Sequence, residues 1–248
     1  MRFLRSLGIW VVIVLDTILF GILAVPLSLL PGGGEWFRRL SKGWSGVILG
    51  ASGVSVRVLH PERLVRDRSF VIASNHESFY DIPVLFASLP MPVRFVAKRN
   101  LFRLPFLGWS MAAAGFVPVD RQDHAHGREI LDVALRRLRG GRSLVVFPEQ
   151  TRTRTGELSP FKSGAAVFAV KSGLPILPVA IAGTFRVHRR GAFEIRPGPV
   201  AVAVGEPIDV GEKSTKDRQA ITKALRDAIE RLRDEARDAD IRSGTGGR

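Results

Sequence analysis

The sequence predicts an α/β fold: a mixed, largely buried β-sheet flanked by helices, preceded by a membrane-associated two-helix hairpin. Three observations predict it. From about Val54 onward, short β-rich apolar runs alternate with helical stretches. Several of these runs are apolar without alternation, as in strands covered on both faces. At the amino end, the 24 residues from Leu7 to Leu30 carry one charged side chain, Asp16.

As a helix, that first segment would extend about 36 Å, enough to cross the core of a bilayer. Asp16 near its centre would cost about 2.5 to 3.5 kcal/mol there, and Pro26, Pro31 and Gly32 to Gly34 are expected to break the helix. Downstream, Trp36, Phe37, Leu40, Trp44, Val47, Ile48 and Ala51 recur at helical spacing with Arg38, Arg39 and Lys42 between them, the pattern of an interfacial amphipathic helix. Together the segments favour a monotopic hairpin over a single span. It dips into one leaflet and returns, leaving Arg2, Arg5 and the later basic residues on the cytoplasmic face of the plasma membrane. A signal peptide fits less well, because the run is long and lacks a clear small-residue cleavage site. A buried helix of a soluble protein would be shorter.

Residues 1–53 are thus assigned to the hairpin and 54–240 to an α/β domain, with 241–248 a Gly-rich polar tail expected to be disordered. Strands are predicted at 54–59, 70–74, 93–97, 116–119, 144–147, 176–181 and 200–204. Ile130, Leu131, Ala134, Leu135 and Leu138 mark one helix, and Ile221, Leu225, Ala228, Ile229 and Leu232 another. Ser214 with Asp217 three residues later is the signature of a capping box opening the latter.

Composition narrows the chemistry. The 46% apolar content of 248 residues fills a substantial core, and the absence of Cys excludes disulfides, thiolate metal sites and a Cys nucleophile. A net charge of +14 attracts polyanions of any kind. Nucleic acid is disfavoured as a partner: the basic segments lack the interleaved aromatics of a stacking platform, and such a role leaves the apolar amino terminus unexplained.

The most informative stretch is Asn75-His76-Glu77-Ser78-Phe79-Tyr80-Asp81, read as strand, turn, then helix start. On a continuous helix His76 and Asp81 would lie about 140° apart, so a pairing requires the turn. A carboxylate on one imidazole nitrogen fixes the tautomer and stabilises the imidazolium, while the other nitrogen takes a hydroxyl proton. His76 is then a general base and the substrate hydroxyl the attacking group. The plainer alternative makes Asp81 a helix-start carboxylate and His76 a turn residue. Other cations stand near predicted strand ends: Lys98 and Arg99, Arg121, and Arg152. If those ends converge they form a cationic pocket suited to a phosphate. Glu149 beside them pairs with an Arg or hydrogen-bonds a substrate hydroxyl.

These segments resemble, in order, the motifs of the glycerolipid acyltransferase family, over roughly residues 54 to 210. Asn75-His76 with Asp81 is similar to its NHxxxxD motif, in which the His is the base and the Asp orients it. The segment from Gly115 to Arg121 resembles the second motif, whose Arg helps bind the acceptor phosphate. Phe147-Pro148-Glu149-Gln150-Thr151-Arg152 resembles the third, usually FPEGTR, an acceptor-binding element. Leu174 to Val179, with Pro178, resembles the fourth, associated with the acyl donor. Lys98 and the run from Phe161 to Gly164 match lesser patterns. The resemblance implies an enzyme of phospholipid biosynthesis that transfers a fatty acyl group from acyl-CoA or acyl carrier protein to 1-acyl-sn-glycerol-3-phosphate (lysophosphatidic acid), giving phosphatidic acid. Catalysis falls to His76 and Asp81, and substrate binding to Lys98, Arg121, Glu149, Thr151, Arg152 and Pro178, with no metal or bound cofactor. Gln150 departs from the family Gly, which puts the acceptor in question: a lyso-ornithine lipid or another lysolipid is the main rival, and a noncatalytic lipid-binding protein a further one. A hydrolase lacks its usual GxSxG nucleophile here.

Overall fold

A computed structural model of the chain describes residues 1–119, 127–138 and 142–245, the backbone alone at 127–130, 138 and 240–245. Seven strands, each overlapping a predicted one, form a single sheet: β1 (Val54–Leu59), β2 (Val71–Ser74), β3 (Val93–Lys98), β4 (Val117–Val119), β5 (Ser143–Val146), β6 (Ile176–Ala182) and β7 (Gly198–Val204). Their order is β1-β7-β6-β2-β5-β3-β4. From β4 to β6 all neighbours are parallel, β7 is antiparallel to β6, and β1 is parallel to β7. The predicted mixed sheet is the observed one.

Alternation along the central strands divides the core. Ile72, Val145, Leu177, Val179 and Ile181 face one layer, which holds the helices α1 (Arg2–Leu29), α2 (Gly33–Ser52), α3 (Asp81–Ser88) and α4 (Leu107–Ala113). Val71, Ala73, Leu144, Ala180 and Ala182 face the other, formed by α5 (Gly127–Leu138), α6 (Gly164–Ser172) and the terminal helix α8 (Arg218–Thr245); a single turn, α7 (Thr184–Val187), follows β6. Small Ala side chains on this second face, Ala201 and Ala203 of β7 included, let α8 seat Ile221, Leu225 and Ile229 against the sheet. The predicted capping box precedes α8: the Ser214 hydroxyl accepts from the Lys216 amide at 3.2 Å, and Asp217 accepts the Ser214 amide at 2.8 Å. Helical backbone runs to Thr245, past residue 240 where the irregular tail was expected to begin.

The two amino-terminal helices fold back on one another, and they differ from expectation in two respects. Pro26 lies within α1 and does not break it; the helix continues to Leu29. In the last turn a proline forfeits one backbone hydrogen bond, and the packing of Phe20, Gly21 and Ala24 offsets that loss. The apolar residues of α2 do not share one outward face: Phe37, Ile48 and Leu49 are buried while Trp36 and Val47 are exposed. Ser41, Ser45 and Ser52 complete the buried side, each hydroxyl bonded to the carbonyl four residues back, and their small size allows close approach to α3. On α1 the division is clean. Ile9, Ile13, Phe20 and Ala24 pack inward, whereas Leu4, Val11, Val14, Leu15, Leu19 and Ile22 form an exposed stripe.

Candidate active site

Parallel strands deliver their carboxyl ends to one edge of the sheet, and the predicted site segments leave from there. Asn75 and His76 follow β2. The Asn75 amide both accepts from and donates to the backbone of Ile181, each at 2.8 Å, extending the β2–β6 ladder with a side chain. The loop after β5 then holds the next residue from both sides: Glu149 Oε1 accepts the His76 amide at 2.8 Å, and the Thr153 amide donates to the His76 carbonyl at 2.9 Å.

The turn that the His76/Asp81 spacing demands is present. Asp81, first residue of α3 and fully buried, presents Oδ2 to His76 Nδ1 at 2.7 Å. The same oxygen accepts the amides of Glu77 and Ser78 at 2.8 and 3.0 Å, while Oδ1 accepts the Thr184 hydroxyl at 2.5 Å. So many donors to one carboxylate identify it as the acceptor, which places the His76 proton on Nδ1 and leaves Nε2 with a free lone pair. The Phe147 ring stacks on the imidazole at 4.0 Å and fixes its plane. Thr184 reaches Asp81 because Gly183, at φ 107°, turns the chain directly after β6; a Cβ there would stand 2.6 Å from the Pro199 carbonyl oxygen.

Glu77 lies buried behind this pair. Burial and the Asp81 charge push its carboxyl up to about 7, against the opposing pull of hydrogen bonds from the Phe185 amide and the Thr184 hydroxyl.

A cavity of about 540 Å³ opens at His76 and extends between the sheet and the hairpin. Its outer part is cationic, lined by Lys98, Thr151, Arg152 and Arg190. Its inner wall is apolar and aromatic, with Phe20, Phe37, Trp44, Phe95 and Phe116. Burial and the neighbouring Arg190 lower the pKa of Arg152, while Asp81 opposes them.

The structure therefore brings His76, Asp81, Lys98, Thr151 and Arg152 to one cleft. Arg121 lies outside the described residues. Two expected substrate contacts are placed elsewhere. Glu149 spends its two oxygens on the amides of His76 and Ser159, so it braces the loop that carries His76 and does not line the cavity. Pro178 sits in mid-strand, three residues before Ile181, and alternation puts it on the α8 face beside Gly205 and away from the cavity. Thr184 and Arg190 were missed: more than 100 residues separate each from His76, and no local motif links them to it. Gln150, the departure from the family motif, adopts φ 62°, the left-handed conformation a glycine favours.

Residues 55–182 match the family model described as Acyltransferase. Over 143 residues the chain is 37% identical to a chloroplastic 1-acyl-sn-glycerol-3-phosphate acyltransferase of Brassica napus, a match covering 57% of this chain and 41% of that protein. It is 34% identical over 169 residues to the 1-acyl-sn-glycerol-3-phosphate acyltransferase of Saccharomyces cerevisiae, covering 67% of this chain and 55% of the yeast protein. The chain thus spans about half the length of the curated relatives it matches. The crystal structure of the 1-acyl-sn-glycerophosphate acyltransferase PlsC from Thermotoga maritima superposes with a TM-score of 0.80, at 26% identity, over 93% of each chain. By the family match, the ordered motifs and the dyad geometry together, the chain belongs to the Acyltransferase family.

Proposed function

We propose that this protein transfers a fatty acyl group from the thioester of acyl-CoA or acyl carrier protein to the free hydroxyl of 1-acyl-sn-glycerol-3-phosphate, giving phosphatidic acid. The observation that carries the reading is the placement of the His76–Asp81 pair where a cationic opening meets an aromatic cavity. In this reading His76 Nε2 takes the proton of the acceptor hydroxyl as its oxygen attacks the thioester carbonyl. Asp81 stabilises the imidazolium through Nδ1. When the tetrahedral intermediate collapses, the carbon–sulfur bond breaks and the imidazolium returns its proton to the departing thiolate. Lys98, Arg152 and Arg190 hold the acceptor phosphate, and the cavity takes acyl chain. A thioester is already activated, so the step calls on no metal or bound cofactor.

The exposed stripe of α1 supports a monotopic placement on a membrane surface, which this reading takes to be the cytoplasmic face of the plasma membrane. The opposite side of α1 is packed on the domain from Ser6 to Ala24, and Arg5 and Trp10 donate to the carbonyls of Ile195 and Phe193 at 2.7 and 2.9 Å. A helix bound in this way lies along the protein instead of standing alone in lipid.

Labelled palmitoyl-CoA and palmitoyl carrier protein, offered with 1-acyl-sn-glycerol-3-phosphate to the detergent-purified protein, test the reading. Transfer is expected with at least one donor, abolished in a folded His76→Ala variant and lowered about 10²- to 10⁴-fold in Asp81→Asn. Equal transfer by His76→Ala removes the histidine as base, and no transfer by the native chain removes this acceptor.

A further inference from the structure

At the other end of the sheet from His76, three arginines meet with no acidic partner among the described residues. Arg94, second residue of β3, is 3% exposed. Its Nη1 donates to the Val93 carbonyl at 2.9 Å, its Nε has no partner, and its guanidinium lies 5.5 Å from the centre of the Phe37 ring. Arg142, just before β5, is half-buried, and Arg137, in the last turn of α5, is exposed. Two glycines show how closely the three converge. Arg94 Nη2 and Arg142 Nε stand 3.7 and 3.9 Å from the point where a Cβ of Gly34 would be. Arg137 Nη1 and Arg94 Nε stand 3.3 and 3.6 Å from the corresponding point at Gly115.

Such an arrangement is unfavourable by itself. A buried cation loses its hydration, and like charges beside it raise the cost further. Burial and the charges of Arg142 and Arg137 together push the Arg94 guanidinium down to about 9. Neither the dyad nor the cavity opening uses these residues, and the carboxylate in the adjoining first turn of α2, Glu35, is already paired with Arg38, Arg39 and Arg66. Guanidinium forks match phosphate oxygens in pairs, and the exposed Arg137 offers a route from solvent.

We propose that Arg94, Arg137 and Arg142 form a second anion site, at the base of the sheet, that binds a phosphate group. The adjoining tip of the hairpin, from the end of α1 to the start of α2, exposes Leu29, Leu30 and Trp36, so the phosphate is either free in solution or the head group of an anionic phospholipid.

Thermal unfolding of the full chain in detergent, in chloride buffer with and without inorganic phosphate, tests the site, because a ligand of the folded state alone raises the midpoint. The double variant Arg137→Gln/Arg142→Gln removes the accessible part of the site without touching the buried core. Arg152→Gln controls for phosphate bound in the catalytic cleft, and Arg57→Gln/Arg231→Gln, both exposed and outside the cluster, for lost charge. The expected result is a phosphate-induced rise in the native chain, Arg152→Gln and Arg57→Gln/Arg231→Gln, lost in Arg137→Gln/Arg142→Gln. Sedimentation with phosphatidylcholine vesicles, with and without phosphatidylglycerol, identifies the source. A gain from phosphatidylglycerol that the cluster variant loses and the charge control keeps assigns a lipid head group, and a gain that both keep assigns free phosphate. The proposal is overturned by a phosphate rise that persists when Arg152→Gln is added to the cluster variant, or by no rise in the native chain.

Discussion

Glu77 sets a buried carboxyl beside the buried Asp81, both sharing the Thr184 hydroxyl. Its pKa rises from 4.5 to about 7 on folding. Between those values the folded chain keeps a proton that the unfolded chain has released, so stability falls as pH rises through that window. The loss is at most about 3 kcal/mol. Urea denaturation near pH 5 and near pH 8 is expected to show the native protein weaker at the higher pH and Glu77→Gln nearly level; a slope that persists in the variant would assign the effect elsewhere. Gln150 holds a second, smaller strain. A left-handed non-glycine residue costs about 1 kcal/mol or more, so Gln150→Gly is expected to raise stability by up to about 1 kcal/mol, read from the denaturation midpoint. At this scale the sequence was most informative where chemistry and spacing coincide: His76 and Asp81 are five apart and meet across one turn. It was least informative for Glu149, whose motif position gives no sign that both oxygens are taken by backbone amides.

Among elements, α1 depends on a close approach. At Gly21 a Cβ would stand 2.6 Å from Phe106 Cβ and 2.7 Å from its carbonyl carbon and oxygen, so backbone must move to admit it. Gly21→Ala is expected to lose about 1 to 3 kcal/mol. The adjacent Ile22→Ala, on the exposed side, should change stability by less than about 0.5 kcal/mol. Similar losses in both, measured by denaturation in the same detergent, would mean that α1 is not seated on this contact. Strand positions were legible because continuous apolar runs bounded by turn residues leave few alternatives. Helices α4 and α6 were not, being 7 and 9 residues long with little polar-apolar contrast to display a period.

Across the whole molecule, charge and hydropathy have separate addresses. The exposed apolar stripe of α1 lies on the hairpin, while cations gather at the cavity opening and at the base of the sheet. Replacing Val11, Leu15 and Leu19 together by Ser removes three exposed apolar side chains that face away from the core. Each would contribute about 1.5 kcal/mol or more if buried in lipid. Vesicle binding is therefore expected to weaken more than a hundredfold with the α/β fold intact, as followed by flotation and circular dichroism. Unchanged flotation would place the membrane contact elsewhere.

By itself the sequence determined the strand set, the hairpin, the capping box and the His76–Asp81 pair, because each is written in neighbouring residues: a period, a break, a cap or a short spacing. The order of strands, the reach of Thr184 and Arg190 into the cleft, the α8-facing side of Pro178 and the meeting of Arg94 with Arg137 and Arg142 belong to the tertiary structure alone. Each joins segments far apart in the chain, and the packing of one side chain against a distant one leaves no mark in the local pattern of either.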